Sequence, residues 1–503
     1  MKTNIIRIIV TLFSVISFAQ ELSFAPVFTN NMVLQQKEHI VIWGFSNPKS
    51  NIKLSITNTD KVINNYNTVT TNNGVWSIKI APLNIQENLK IDISNHKTKL
   101  AITNIAVGDV WLAGGQSNMD WDLGVFADNK NLELKKEVWK HQNIKVILEE
   151  NQTAIEKSTN TNLRIVQVDK YLVDNSIKPY DNKKLVLKNK WASSSPRIIN
   201  KTSAIGYFFG KHLQEKLKIP IGVIDANKGG TPLRCWLLPN VLKEVDTTLT
   251  KKKRSYVNGV LYAGMIQPLS SFPIKGVVWY QGEANSNKEA DANDYDENLT
   301  LLINLWRKAW NKPDLPFIIA QLPGHLGKEY PTKKKGIFWP ITRENQYEVS
   351  LLLENVATTC LIDLGFKYDI HPPLKQEVGK RLANDALSLV YKQHSNISAS
   401  YKSHTVKGKN LLVTFTNVGV LGLKAKDVYL DGDQLFAKKL QGFEIAGADK
   451  VFYGAKSFVK NSNTVSLCSK KVKKPMYVRY AWKDFPLANL YNTANLPTYP
   501  FDK

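Results

Sequence analysis

Three textures of apolar and polar positions follow one another along the chain. From Leu22 to about Ile105, short apolar stretches such as HIVIWGF, IKLSI and GVWSIKI are separated by Asn, Pro, Gly and Asp. Brief β-rich runs bounded by turn residues predict strands, so residues 20–106 are expected to form a β-sandwich-like module. From Val107 to about Tyr391 the apolar runs become near-continuous: DVWLAG, IGVIDA, GVVWYQ, FIIAQL and TTCLIDL. Between them lie segments of helical period. In AIGYFFGKHLQEKLK, for example, Tyr207, Phe208, Leu213 and Leu217 share one broad face. Unbroken apolar strands alternating with helices predict a parallel sheet covered on both faces, so residues 107–397 read as a doubly wound α/β domain. From Ser398 the strand texture returns in NLLVTFTN, DVYLDG, TVSLCS and MYVRYAW, which makes residues 398–503 a C-terminal β-rich domain. Its final NLYNTANLPTYPF is expected to pack back on the body.

The first 19 residues break this scheme. Lys2 and Arg7 flank the start of a short apolar run, IIVTLFSVI, and SFA follows at residues 17–19. This is the pattern of a signal peptide, too short to span a bilayer, so residues 1–19 are read as a leader and the protein as exported, periplasmic or secreted. No later stretch has the length and apolarity of a membrane span. Composition, with 43% hydrophobic and 22% charged residues, excludes a disordered chain. The net charge of +24, with basic clusters at residues 251–254 and 333–335, is read as a solvated basic surface, with an anionic glycan or envelope as the alternative partner. No nucleic-acid recognition motif accompanies it. Three cysteines, Cys235, Cys360 and Cys468, allow one disulfide at most, and their spacing suggests no metal site.

Ligands of open α/β sheets bind beyond the carboxyl ends of the strands. Four apolar runs here end in polar or glycine-rich strings: Gly115-Gln116-Ser117-Asn118, Gly229-Gly230-Thr231, Gln281-Gly282-Glu283-Ala284-Asn285, and Asp369-Ile370-His371-Pro372. Together they hold the parts for ester hydrolysis: a nucleophile, a base, an orienting acid and oxyanion donors. Ser117 is the candidate nucleophile, His371 the base, and Asp369 the acid that steadies it. The N–H groups of Ser117 and of Gly229 or Gly230 are candidate oxyanion donors, with a side-chain amide from Gln281 or Asn285 as a third. Plainer readings stand beside these: Ser117 as a helix N-cap, Gly229-Gly230 as a turn, Glu283 as a solvated loop carboxylate, His371 as a residue flanking a helix start. The position two after Ser117 is Met119 rather than glycine, which argues against the lipase-type elbow of the α/β-hydrolase fold.

AGGQSNMDW resembles the nucleophile block of SGNH-type carbohydrate esterases, specifically the sialate O-acetylesterase family. Collinear with it run MVLQQ, VIWG, GGTPLRCW, LYAGMIQPL, IKGVVWYQGEAN, TRENQ, DIHPPLKQEVGKRLA, VRYAW and LPTYPF. The resemblance implies a three-layer α/β/α domain with accessory β domains, and metal-free, cofactor-free hydrolysis of O-acetyl esters on a glycan or sialic acid. It implies Ser117 as nucleophile, His371 as base, Asp369 as acid, and substrate or oxyanion contacts from Gln116, Gly229, Gly230, Gln281, Glu283 and Asn285. Acetylated xylan or another polysaccharide is the alternative substrate, and a non-catalytic glycan-binding protein the alternative function. Asp369 lies only two residues before His371, with Tyr368 at the third, so Asp363 or a backbone carbonyl is an alternative orienter. Lys228 and Arg234 stand where the family pattern has Trp and Glu, and they make the rim of the site more basic.

Overall fold

The structure, a computed structural model, describes residues 21–503 except 60, 129, 131–134, 136–138, 140–142, 171–184, 239–257, 328–337 and 394–396. The expected leader and both basic clusters lie outside the described residues.

The centre is a sheet whose strands are β1 (Lys99–Gly115), β2 (Asn160–Val168), β3 (Leu187–Ser194), β4 (Ile221–Asn227), β5 (Gly276–Tyr280), β6 (Phe317–Ala320) and β7 (Val356–Thr359). Their order is β3-β2-β4-β1-β5-β6-β7. All neighbours pair in parallel except β3, which runs antiparallel to β2. The five near-continuous apolar runs are β1, β4, β5, β6 and β7. β2 and β3 went unrecognised, because NTNLRIVQV and LKNKWASS carry too many polar positions to read as buried strands.

Alternate residues of β1 enter two separate cores, as the period of two in a strand requires. Val110 and Leu112 pack into one cluster with Leu299, Leu302, Ile303 and Trp306 of the helix Tyr295–Ala309. Trp111 and Ala113 pack into another with Phe208, Phe209 and Leu213 of the helix Ala204–Leu217 and Leu382 and Ala386 of the helix Lys375–Leu389.

β1 is also the physical link to the N-terminal strands. Its first half pairs antiparallel with Gln86–Ser94, and its second half pairs parallel with β4 and β5. The boundary drawn after residue 106 therefore falls within one continuous strand. The C-terminal strands form two four-stranded and two two-stranded sheets. The chain end packs back on the centre: Tyr499 stacks on Tyr347 at 4.4 Å between ring centres, and the Tyr491 hydroxyl donates to Asp363 Oδ2 at 2.9 Å. None of the three cysteines forms a disulfide among the described residues, and two of them are buried. Among the described residues no helix is long and apolar enough to cross a membrane.

The register fixes where the site forms. Gly115, at the end of β1, lies level with Asn227 of β4 and Tyr280 of β5. The chain order jumps across β1 between β4 and β5, so β1 ends at a switch point. Gly115 has φ +136°, and a Cβ there would lie 2.0 Å from the Tyr280 carbonyl oxygen. Gly115→Ala is expected to cost about 3 kcal/mol or more, from strain and overlap together. Chemical denaturation would check this, and an unchanged midpoint would contradict it.

Candidate active site

Beyond Gly115 the chain turns sharply. Gln116 is extended, and Ser117 opens a four-residue helix, Ser117–Asp120. Gln116 occupies the cap position and no side chain caps the turn, so Ser117 is not the N-cap that one plain reading made it. The serine is 8% exposed. Gly229 lies against it: a Cβ on Gly229 would sit 3.5 Å from Ser117 Cβ. The Gly229 N–H itself donates to Asp120 Oδ2 at 2.8 Å, and Lys170 Nζ holds the other oxygen, Asp120 Oδ1, at 2.6 Å. Gly230 is exposed, with φ +72°.

A network of buried amides ties β1, β4 and β5 together at this level. Its orientation follows from backbone donors, which cannot be reversed. Gln116 Oε1 accepts from Ala284 N at 3.1 Å, so it also faces Gln281 Nε2 at 3.1 Å. Asn285 Oδ1 accepts from Leu233 N at 3.0 Å and from Gln281 Nε2 at 2.8 Å. Gln281 Nε2 additionally meets the Thr231 carbonyl at 3.2 Å, while Gln281 Oε1 accepts from the Tyr295 hydroxyl at 2.9 Å. The two Gln281 amide protons thus face three acceptors, and that side chain is committed to the scaffold. With its oxygen held by two donors, Asn285 keeps its Nδ2 protons for another acceptor.

Glu283 is not a solvated loop residue but is 1% exposed. Its Oε1 accepts from Asn118 Nδ2 at 2.7 Å, and Asn118 Oδ1 accepts from Lys375 Nζ at 2.5 Å. Burial pushes the Glu283 carboxyl up to about 7, against the Asn118 hydrogen bond and the Lys375 charge. Burial pulls the Lys375 ammonium down to about 7, against the charges of Glu283 and Asp369.

The fourth string comes from the long connection after β7. His371 sits in a loop four residues before the helix Lys375–Leu389. Its ring stacks on Trp121 at 4.2 Å and 19°, and Trp121 stacks in turn on Phe126 at 5.6 Å. Trp121 N donates to the Ser117 carbonyl at 3.0 Å, and Asn118 Nδ2 donates to the Ile370 carbonyl at 2.9 Å. All four sequence strings therefore meet.

Asp369 Oδ1 accepts the His371 backbone N–H at 2.9 Å and lies 3.8 Å from His371 Nδ1, beyond hydrogen-bond length. Its Oδ2 accepts from Lys135 Nζ and Trp139 Nε1, both at 2.7 Å. Burial works to raise the Asp369 carboxyl, but these hydrogen bonds and the Lys135 charge outweigh it and hold the group below its ordinary range. Asp363, the alternative orienter, is engaged elsewhere. Arg381 grips both its oxygens at 2.7 and 2.9 Å, and against the effect of burial this pair holds its carboxyl below the ordinary range.

Several residues of the site escaped sequence reasoning. Lys375 left a signal: it shares the apolar face of its helix with Val378 and Leu382, where a lysine needs a buried partner. Asn118 stood beside the nucleophile without a role. Asp120, Trp121, Lys135, Trp139 and Lys170 left none, because their partners are distant in sequence.

The model of the carbohydrate esterase, sialic acid-specific acetylesterase family matches residues 107–388, more than half of the chain. The human sialate O-acetylesterase is 26% identical over 529 aligned positions, covering 95% of this chain and 92% of that one. The Rattus norvegicus sialate O-acetylesterase is 24% identical over 73% of each chain. The crystal structure of a carbohydrate acetylesterase from Xanthomonas citri superposes with a TM-score of 0.79 at 28% identity, covering 96% of this chain and 99% of that one.

The Asp363–Arg381 pair yields a stability test. A carboxylate whose folded pKa is depressed contributes stability that is present above the ordinary aspartate value, about 3.9, and lost as pH falls through the folded value. Asp363→Asn is expected to cost about 2–4 kcal/mol at neutral pH by leaving the buried Arg381 charge with the half-exposed Glu377 as its anionic partner. It should also flatten the loss of melting temperature that the wild type shows in acid. A melting-temperature series from pH 7 down to about 3 checks this; curves of equal steepness for the two proteins would contradict it.

Proposed function

Because this chain belongs to the sialic acid-specific acetylesterase family of carbohydrate esterases, we propose that it hydrolyses O-acetyl esters on sugars, with O-acetylated sialic acid as its substrate and Ser117 as its nucleophile. The reading rests chiefly on one observation. The Ser117 turn and the His371 loop, distant in sequence, are joined by the Trp121–His371 stack and the Asn118–Ile370 hydrogen bond. The likeness to the human and Xanthomonas citri proteins along nearly the whole chain supports it. We also assign the central domain to the three-layer SGNH architecture.

In this reading the Ser117 hydroxyl attacks the acetyl carbonyl while His371 takes its proton. The oxyanion is held by the N–H groups of Ser117 and Gly230 and by Asn285 Nδ2. Gly229 is left out of that set because its N–H serves Asp120. The intermediate collapses, the sugar oxygen leaves with the proton from His371, and the acetyl group stays on Ser117. Water, deprotonated by His371, then attacks the acetyl-enzyme, and acetate is released as His371 returns the proton to the Ser117 oxygen. Asp369 favours the imidazolium by its charge and holds the loop through the His371 N–H. The leader pattern at residues 1–19 supports a site of action outside the cytoplasm.

Acetate release from O-acetylated sialic acid and from acetylated xylan, measured in parallel, tests the proposal. The wild type is expected to act on the sialic acid, and Ser117→Ala to lose about 10³-fold or more. Activity on xylan alone would overturn the substrate, and glycan binding without acetate release would favour a binding protein. Asn285→Ala is expected to lower kcat by about 10²–10³-fold. Gln281→Ala, if folded, should act mainly through stability. A smaller kcat loss in Asn285→Ala than in folded Gln281→Ala would contradict the donor assignment.

A further inference from the structure

We infer that Asn118, Glu283 and Lys375 form a buried positioning bridge that holds the serine turn and the histidine loop at a fixed separation. The inference rests on the proposed roles of Ser117 and His371 and assigns three buried residues a positioning role, Glu283 among them in place of the substrate contact that the resemblance implies.

The bridge joins three strings that no local contact could hold together. Asn118 follows Ser117, Glu283 lies beyond β5, and Lys375 opens the helix after the histidine loop. Asn118 is the hub. It donates to Glu283 Oε1 at 2.7 Å and to the Ile370 carbonyl at 2.9 Å, and it accepts from Lys375 Nζ at 2.5 Å. Its amide thus meets one partner from each of three directions and has one orientation that satisfies them all. Lys375 reaches His371 by a second route as well. Its Nζ lies 4.8 Å from the centre of the Phe126 ring, Phe126 stacks on Trp121, and Trp121 stacks on His371. The imidazole is therefore located both through its backbone, at Ile370, and through its face, at Trp121.

Apolar packing would fill the same space at less desolvation cost. It would not fix the separation of two loops, because it has no direction. Glu283, Asn118 and Lys375 are each 1% exposed. The carboxyl and the ammonium have opposite charges, so the bridge can be neutral as a whole while each charge alone is costly. The Glu283 charge also acts on the Tyr280 and Tyr295 hydroxyls, and the Asp369 charge acts on Lys375. Glu283 Oε2 has no hydrogen-bond partner among the described residues.

The test compares Asn118→Ala, Glu283→Gln, Lys375→Met and the double variant Glu283→Gln/Lys375→Met, with Ser117→Ala alongside, on an acetylated sugar. Asn118→Ala leaves Glu283 and Lys375 to neutralise each other and keeps the test open if a single charge variant fails to fold. Loss of position without loss of contact to substrate should lower kcat and spare KM. Asn118→Ala is expected to lose about 10²-fold in kcat, the scale of an ångström of misplacement, with KM within about threefold. The double variant is expected to exceed the slower charge variant by about fivefold or more, because removing both charges repairs what removing one breaks. Wild-type kcat in folded Asn118→Ala, a loss confined to KM, or charge effects that multiply in the double variant would each overturn the bridge. If Ser117→Ala keeps the full rate, the catalytic assignment falls and the bridge falls with it. If Ser117→Ala is dead while Asn118→Ala is unimpaired, only the bridge falls.

Discussion

The parallel pairing of β1 with β4 and β5 is the constraint on which the rest depends. Gly115 lies level with Asn227 on one side and Tyr280 on the other. Three loops must therefore leave the sheet at one height and share one crevice. The glycine is required because the Tyr280 carbonyl occupies the space of any side chain. From it follow the turn to Ser117, the contact with Gly229, and the meeting of Gln116 with the Gln281–Asn285 string. The same strand continues back into the N-terminal strands, so that module and the catalytic crevice share a structural member and a core.

What fills the crevice is a second consequence of the register. Strand ends bring backbone N–H and C=O groups that have left the sheet ladder, and burial obliges each to find a partner. Gln116, Gln281 and Asn285 supply those partners, and in doing so they stitch three loops into one body. Neutral amides do this without the desolvation cost of charges. Charged groups enter only where they are answered: Asp120 by Lys170 and Gly229, Asp363 by Arg381, Asp369 by Lys135 and Trp139. A preorganised, largely dry set of donors is the arrangement that stabilises a developing oxyanion most effectively.

Much of this was legible in the chain. The five apolar strands, the helix after His371 and the convergence of four strings followed from hydrophobic texture and the rule for open α/β sheets. β2 and β3 were missed because Arg164, Gln167, Asn189 and Lys190 interrupt the apolar pattern; Arg164 is nonetheless buried, with its Nε donating to the Thr161 carbonyl at 2.9 Å. Which amide faces inward was also illegible. Gln281 and Asn285 differ by one methylene, and only the Leu233 and Ala284 N–H groups decide their orientation. The two side-chain partners of Asp369, Lys135 and Trp139, lie more than 200 positions away, where no local pattern reaches. The close spacing of Asp369 and His371 was legible, and its consequence appears in the structure: the carboxylate bonds to the histidine backbone rather than to its ring.

The central claim is that the acetyl group passes through Ser117. The most direct measurement is mass spectrometry of the enzyme quenched in acid during turnover of an O-acetylated sugar, followed by mapping of the modified peptide. The expected result is an acetyl adduct on Ser117 that disappears as the substrate is consumed and is absent from Ser117→Ala. Acetate release by the wild type with the adduct on another residue, or undiminished release by Ser117→Ala, would contradict the account.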